Sequence, residues 1–288
     1  MSPAERLGDY VPLLLFTAMA LIASGLVVAA GAAHLLLPAG WSLTRPLLVT
    51  ALLLLTAGGA MAMLHLGRPW RAGMAVAAIG RSWLSREVGA VGVLAVSTTL
   101  ALVIDLAGNP PPPVWGTIAL AAATMGGLLT AMTVGKVYDL PAQAGWRGPA
   151  QWLTPPIATL LLASVLLAAA PGGALLAGLA AALLGADALL LTLRIAAARR
   201  RSRRGPAPTF ARHARVLTAL YVLRAALVPA AATSMLLGWH AAAPVLVAVM
   251  LIIDRCCLYA GSARVTPSTE MAILKKERMR QATARPRT

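Results

Sequence analysis

The chain has 288 residues, 59% of them hydrophobic and only 12% charged, with 25 Lys and Arg against 9 Asp and Glu for a net charge of +16. Ordinary globular domains carry roughly 25% charged residues, so a soluble domain of this composition would have no surface to offer water. A nucleic-acid binder is excluded as well, because its basic residues would need a polar scaffold around them. This is the composition of an integral membrane protein.

A hydrocarbon core about 30 Å thick takes about 20 apolar residues at a helical rise of about 1.5 Å. Eight segments satisfy that requirement: 11–37, 46–66, 87–106, 114–135, 156–170, 173–194, 215–237 and 242–259. Breakers separate them: Pro38, Gly67 with Pro69, the run from Gly108 to Pro113, Pro141, Pro171-Gly172 and Gly205-Pro206. The seven Trp, at Trp41, Trp70, Trp83, Trp115, Trp146, Trp152 and Trp239, fall at or near span ends, where an interfacial aromatic belt sits. The expected fold is therefore all-α, with eight transmembrane helices in two four-helix bundles over residues 1–264. A basic tail over 265–288 follows, and its segment 268–281 has helical spacing suited to a membrane surface or a partner. The first span is too long for the hydrophobic region of a cleavable signal peptide. Cys256 and Cys257 sit inside the last span as packing residues rather than a disulfide framework.

The basic residues sort by side. Arg6, loop 2–3, loop 4–5, the run from Arg194 to Arg215 and the residues from Arg264 onward together hold 22, whereas the opposite loops hold Arg45 alone. The positive-inside rule then predicts a multi-pass protein with both termini in the cytoplasm. The run from Arg199 to Arg204 reads as a topology anchor touching anionic lipid headgroups.

Polar groups within the spans are costly, so they mark the candidate chemistry. His65 ends the second span and Glu87 starts the third. An interfacial His–Glu couple can hydrogen-bond a hydroxyl and take its proton. The same two residues would also serve as helix-end partners of the backbone dipole, and spacing leaves both readings open. A deeper set comprises Asp187, Arg224, Asp254 and Arg255, for which an Asp187–Arg224 or Asp254–Arg224 ion pair is expected. Asp105 faces the opposite surface alone as a helix end. Haem is not expected, because His34 and His240 lie near one face, His65 and His213 near the other, and His213 stands among arginines. Two cysteines cannot hold an iron–sulfur cluster, and no metal site is expected.

The connector His65-Leu66-Gly67-Arg68-Pro69, with Arg71-Ala72 and then Ser82-Trp83-Leu84-Ser85-Arg86-Glu87, resembles that of the DMSO reductase anchor subunit family. Span four, ending Val134-Gly135-Lys136-Val137-Tyr138 with Gly145-Trp146 beyond, is similar too; Asp254-Arg255-Cys256-Cys257-Leu258-Tyr259-Ala260 follows that family's ending loosely. The resemblance implies a haem-free membrane anchor that is not catalytic by itself. It would bind menaquinol and pass its electrons to an iron–sulfur subunit of a molybdopterin oxidoreductase in anaerobic respiration. It implies that His65 deprotonates a quinol hydroxyl, that Glu87 accepts or relays a proton, and that Arg68 or Arg86 tunes Glu87 and binds the partner. Trp83 and Trp70 would flank the ring or anchor the interface, the latter being favoured. Two alternatives are a polysulfide-reductase type of quinone anchor and a proton-coupled transporter. The histidine–glycine–arginine–proline connector argues against the first, and the lack of paired Gly/Pro interruptions in spans six to eight against the second.

Overall fold

A computed structural model describes residues 3–37, 40–65, 80–107, 113–139, 148–203, 208–239 and 241–260. Among them are eight α-helices: α1 (Pro3–Leu36), α2 (Gly40–His65), α3 (Trp83–Ala107), α4 (Pro113–Val137), α5 (Pro149–Ala168), α6 (Ala177–Arg203), α7 (Pro208–Leu236) and α8 (Ala242–Ala260). Each contains a stretch long and apolar enough to cross a membrane, and the chain is a multi-pass membrane protein. Helices are the solution because lipid offers no partners to backbone N–H and C=O groups, so each span must satisfy its own. The tail and most of loop 2–3 lie outside the described residues.

Most helices start earlier than the apolar runs suggest, α1, α2, α3, α5 and α7 by four residues or more. α2 begins at Gly40 and carries Pro46 inside it, while α5 begins at Pro149 and continues through Pro155 and Pro156. A proline removes one backbone donor without ending a helix whose neighbours hold it in place. In α5 the consequence is visible. Pro156 has no N–H for the Trp152 carbonyl, and that carbonyl lies against Gly135 of α4, where an added Cβ would stand 2.3 Å from it. Glycine is needed there for close approach. α3 also starts early, at Trp83 rather than Glu87, with consequences for the site.

α1 is the most enclosed helix and packs against α2, α4, α5 and α8; α3 packs on α2 and α4, and α6 and α7 extend from α5 and α8. One apolar core joins Leu26, Val27, Leu48, Leu55, Leu94 and Leu120 of α1–α4. Another joins Leu21 of α1 to Leu161 of α5, Leu184 of α6 and Met250 of α8. Outward-facing Leu and Val along α2, α3 and α7 would be a liability in water and are what lipid requires.

Polar bonds mark the two ends of the bundle. At the end away from the basic loops, His34 Nε2 and Thr117 Oγ1 are 3.0 Å apart, joining the end of α1 to the start of α4. Arg45 Nε donates to Asp105 Oδ2 at 2.7 Å there, joining the start of α2 to the end of α3. This corrects the reading of Asp105 as a lone helix end: antiparallel α2 and α3 bring Arg45 onto the buried carboxylate. We call the other end, where α2, α4, α6 and α8 finish, the basic face.

Candidate functional site

The site starts from the way α3 begins. Ser82 precedes the helix, and the Ser85 N–H donates to Ser82 Oγ at 3.1 Å while the Ser82 N–H lies 3.3 Å from Ser85 Oγ. Two serines thus satisfy the first turn reciprocally, in the manner of a capping box. Glu87 is consequently not needed as a cap. It sits one turn inside α3, only 2% exposed, and its Oε1 has no hydrogen-bond partner among the described residues.

Its neighbour Arg86 turns the other way. Arg86 is exposed, its Nη2 donates to the Gly80 carbonyl at 3.0 Å, and its guanidinium lies 4.6 Å from the centre of the Trp83 ring. The cation whose field reaches Glu87 is Arg255, near the end of α8. Arg255 is fully buried, and its Nη2 donates to Asp254 Oδ2 at 2.6 Å. Its Nε and Nη1 have no hydrogen-bond partner among the described residues.

Three tyrosines complete this corner of the basic face. The Tyr138 hydroxyl, just past α4, is hydrogen-bonded to that of Tyr259 on α8. The Tyr259 ring stacks on Tyr10 of α1 at 5.6 Å between centres and meets Tyr138 edge-on at 5.6 Å, with Thr17 of α1 adjoining its hydroxyl. Burial, and then the neighbouring Tyr259, raise the Tyr138 pKa well above that of an ordinary phenol, so its hydroxyl keeps its proton at neutral pH.

The deeper charges form two pairs. Arg224 Nη2 of α7 donates to both oxygens of Asp187 on α6, at 2.8 and 2.6 Å. Asp254 is not joined to Arg224. It is held by Arg194 of α6 and by Arg255. Arg194, counted in sequence among the loop cations, is buried at 7% exposure because it lies two helical turns beyond Asp187 on the same face of α6. Among the described residues, no group of His, Cys, Asp and Glu could hold a metal ion.

Of the residues singled out from sequence, His65 closes α2, and its side chain lies outside the described residues, as do Arg68 and Trp70. Trp83 is exposed at the start of α3, where it carries Arg86 on its face. The charge of Arg255 reaches Glu87, while Asp187 and Arg224 form a separate ion pair deeper in the bundle. No curated protein matches the chain. A family model described as DMSO reductase anchor subunit (DmsC) matches residues 8–185, more than half of its length.

The chain belongs to the DmsC family.

Membership makes this a membrane anchor of a DMSO reductase-type complex and implies association with the other DMSO reductase subunits. The match spans α1 to α5 and the start of α6, and so contains the loop 2–3 motif, Glu87 and Tyr138. Arg194, Arg224, Asp254, Arg255 and Tyr259 of the DmsC chain lie beyond it and enter through the structure alone. Tyr138, Tyr259, Tyr10 and Arg194 were not singled out as site residues in the sequence. For Arg194 the signal was present, since a cation seven residues from a buried aspartate shares its helix face.

Proposed function

We propose that this anchor binds menaquinol at the basic face, takes its protons through His65 and Glu87, and passes its two electrons to an iron–sulfur subunit that serves a molybdopterin catalytic subunit. Glu87 carries the reading. A carboxylate enclosed in the bundle with an unused oxygen is a poor structural element and a suitable acceptor for a hydroxyl proton. The capping of α3 by Ser82 and Ser85 supports this by removing the helix-end explanation of Glu87. The reaction balances as quinol giving quinone, two protons and two electrons. One proton goes to His65, one goes to Glu87, and both electrons go to the partner's nearest cluster. The excess of cations on this face supports a cytoplasmic placement of the site and of both termini.

The test uses membranes carrying the chain with its partner subunits. A fluorescent hydroxyquinoline N-oxide that mimics quinol is titrated into wild type, His65→Arg and Glu87→Gln. Quenching in wild type that both variants lose supports the reading. Absence of quenching in an assembled wild-type complex overturns it.

A further inference from the structure

Six charged side chains are buried toward the basic face: Glu87, Asp187 and Asp254 against Arg194, Arg224 and Arg255. Asp187 closes on Arg224, and Asp254 closes on Arg194 and one nitrogen of Arg255. Left over are one oxygen of Glu87 and the Nε and Nη1 nitrogens of both Arg224 and Arg255, all enclosed and none hydrogen-bonded among the described residues; those of Arg224 stand beside Asp187, those of Arg255 one helical turn before Tyr259. Of the two arginines, Arg255 is the one whose charge acts on Glu87, and no ion pair joins that carboxylate to it among the described residues. Enclosing opposite charges without letting them touch is costly, because direct contact would offset the desolvation of both. Such an arrangement suits a polar group that sits between them, accepts from the arginine and donates to the carboxylate.

A ring hydroxyl has that pair of capacities. We propose that Arg255 is a second catalytic residue, its Nε and Nη1 donating to the same quinol oxygen whose proton Glu87 takes. The inference rests on the quinol reading above and deepens it. As the O–H bond breaks, the proton passes to Glu87 and its electron pair stays on the oxygen, where the guanidinium stabilises the developing negative charge. When the other hydroxyl has lost its proton to His65 and two electrons have gone to the iron–sulfur partner, that oxygen is a quinone carbonyl. It then accepts from the same two donors. Arg255 therefore binds the oxygen throughout and binds it most strongly while the charge is present. The hydroxyls of Tyr138 and Tyr259, hydrogen-bonded to each other, feel the charges of both Glu87 and Arg255.

The experiment compares wild type, Arg255→Gln, Arg255→Lys, Glu87→Gln and the double variant Glu87→Gln/Arg255→Gln, each assembled with its partners in membranes. Quinol-driven reduction is measured beside reduction driven by a dye that feeds the partner subunits directly, and analogue binding is titrated by fluorescence quenching. Expected for Arg255→Gln is a loss of about 100-fold or more in quinol-driven turnover, as for removal of one oxyanion donor, with dye-driven turnover intact. The double variant should be little worse than Glu87→Gln alone, because both side chains act on one oxygen. A merely structural Arg255 would instead give losses that multiply. Wild-type turnover and binding in Arg255→Gln overturn the inference. If Arg255→Gln does not assemble, Arg255→Lys decides: it keeps a cation beside Asp254 but loses the fork of donors, so a loss of about tenfold or more supports the inference and wild-type turnover overturns it. A wild type that fails to bind the analogue defeats the quinol reading itself. Loss in Glu87→Gln with none in the Arg255 variants defeats this inference alone.

Discussion

Arg224 and Asp187 offer the sharpest test of what holds the second half of the bundle together. The side chains are 2% and 0% exposed, and one guanidinium nitrogen donates to both carboxylate oxygens at 2.8 and 2.6 Å. Replacing Arg224 by Gln leaves an anion enclosed between α6 and α7 with no cation in contact. Breaking one side of a buried pair costs about 3–5 kcal/mol, against a typical total of about 5–15 kcal/mol for a folded domain. Asp187→Asn should cost a similar amount, since it strands the guanidinium, whose Nε and Nη1 already have no hydrogen-bond partner among the described residues. Removing both charges as Asp187→Leu/Arg224→Leu should recover most of the loss, because two apolar side chains meet no desolvation penalty there. The assay is reversible unfolding of the purified chain in mixed micelles with increasing denaturing detergent, followed by helical circular dichroism. Single variants that each cost under about 1 kcal/mol would refute the argument. So would a double Leu variant as unstable as the two single losses added together.

Other positions give further expectations. Gly135→Ala places a Cβ against the Trp152 carbonyl and should cost about 1–3 kcal/mol in the same unfolding assay, while Gly59→Ala, with nothing within 4 Å, should be neutral or stabilising by up to about 1 kcal/mol. Arg45→Ala removes a pair whose arginine side chain is 56% exposed, so a loss of about 1 kcal/mol or less is expected, with quinol-driven reduction unchanged. Ser82→Ala should destabilise the start of α3 by about 0.5–2 kcal/mol, read as faster amide exchange in its first turn, and should weaken quinol-analogue binding with it.

The spans could be read from sequence because lipid imposes its demand on every residue of a crossing segment, and a long apolar run has no other explanation. Their starts were less legible. Pro46 and Pro156 look like boundaries, but proline sets a limit only where no neighbouring helix holds the chain in line. Glu87 stood out because its motif is local. Its partnership with Arg255 did not, since the two are 168 positions apart and apolar helices carry little pattern to fix which face turns inward. Asp105 looked solitary for the same reason, with Arg45 60 residues away. Charge counting located cations by side and not by depth, so Arg194 was placed among the loop residues although it is buried against Asp254.

The corner that joins Tyr10 and Thr17 of α1, Glu87 of α3, Tyr138 beyond α4 and Arg255 with Tyr259 of α8 also bears on biogenesis. Of these helices, α1 leaves the ribosome well before α8. Seven helices are therefore made before the Arg255 guanidinium arrives. Until then the membrane holds seven helices with an incomplete polar corner. A truncated anchor would retain the loop 2–3 motif and still lack the donor side of its site. The last helix to insert therefore relieves a cost that the earlier ones carry, and the polar corner ties the two ends of the bundle's assembly to one another.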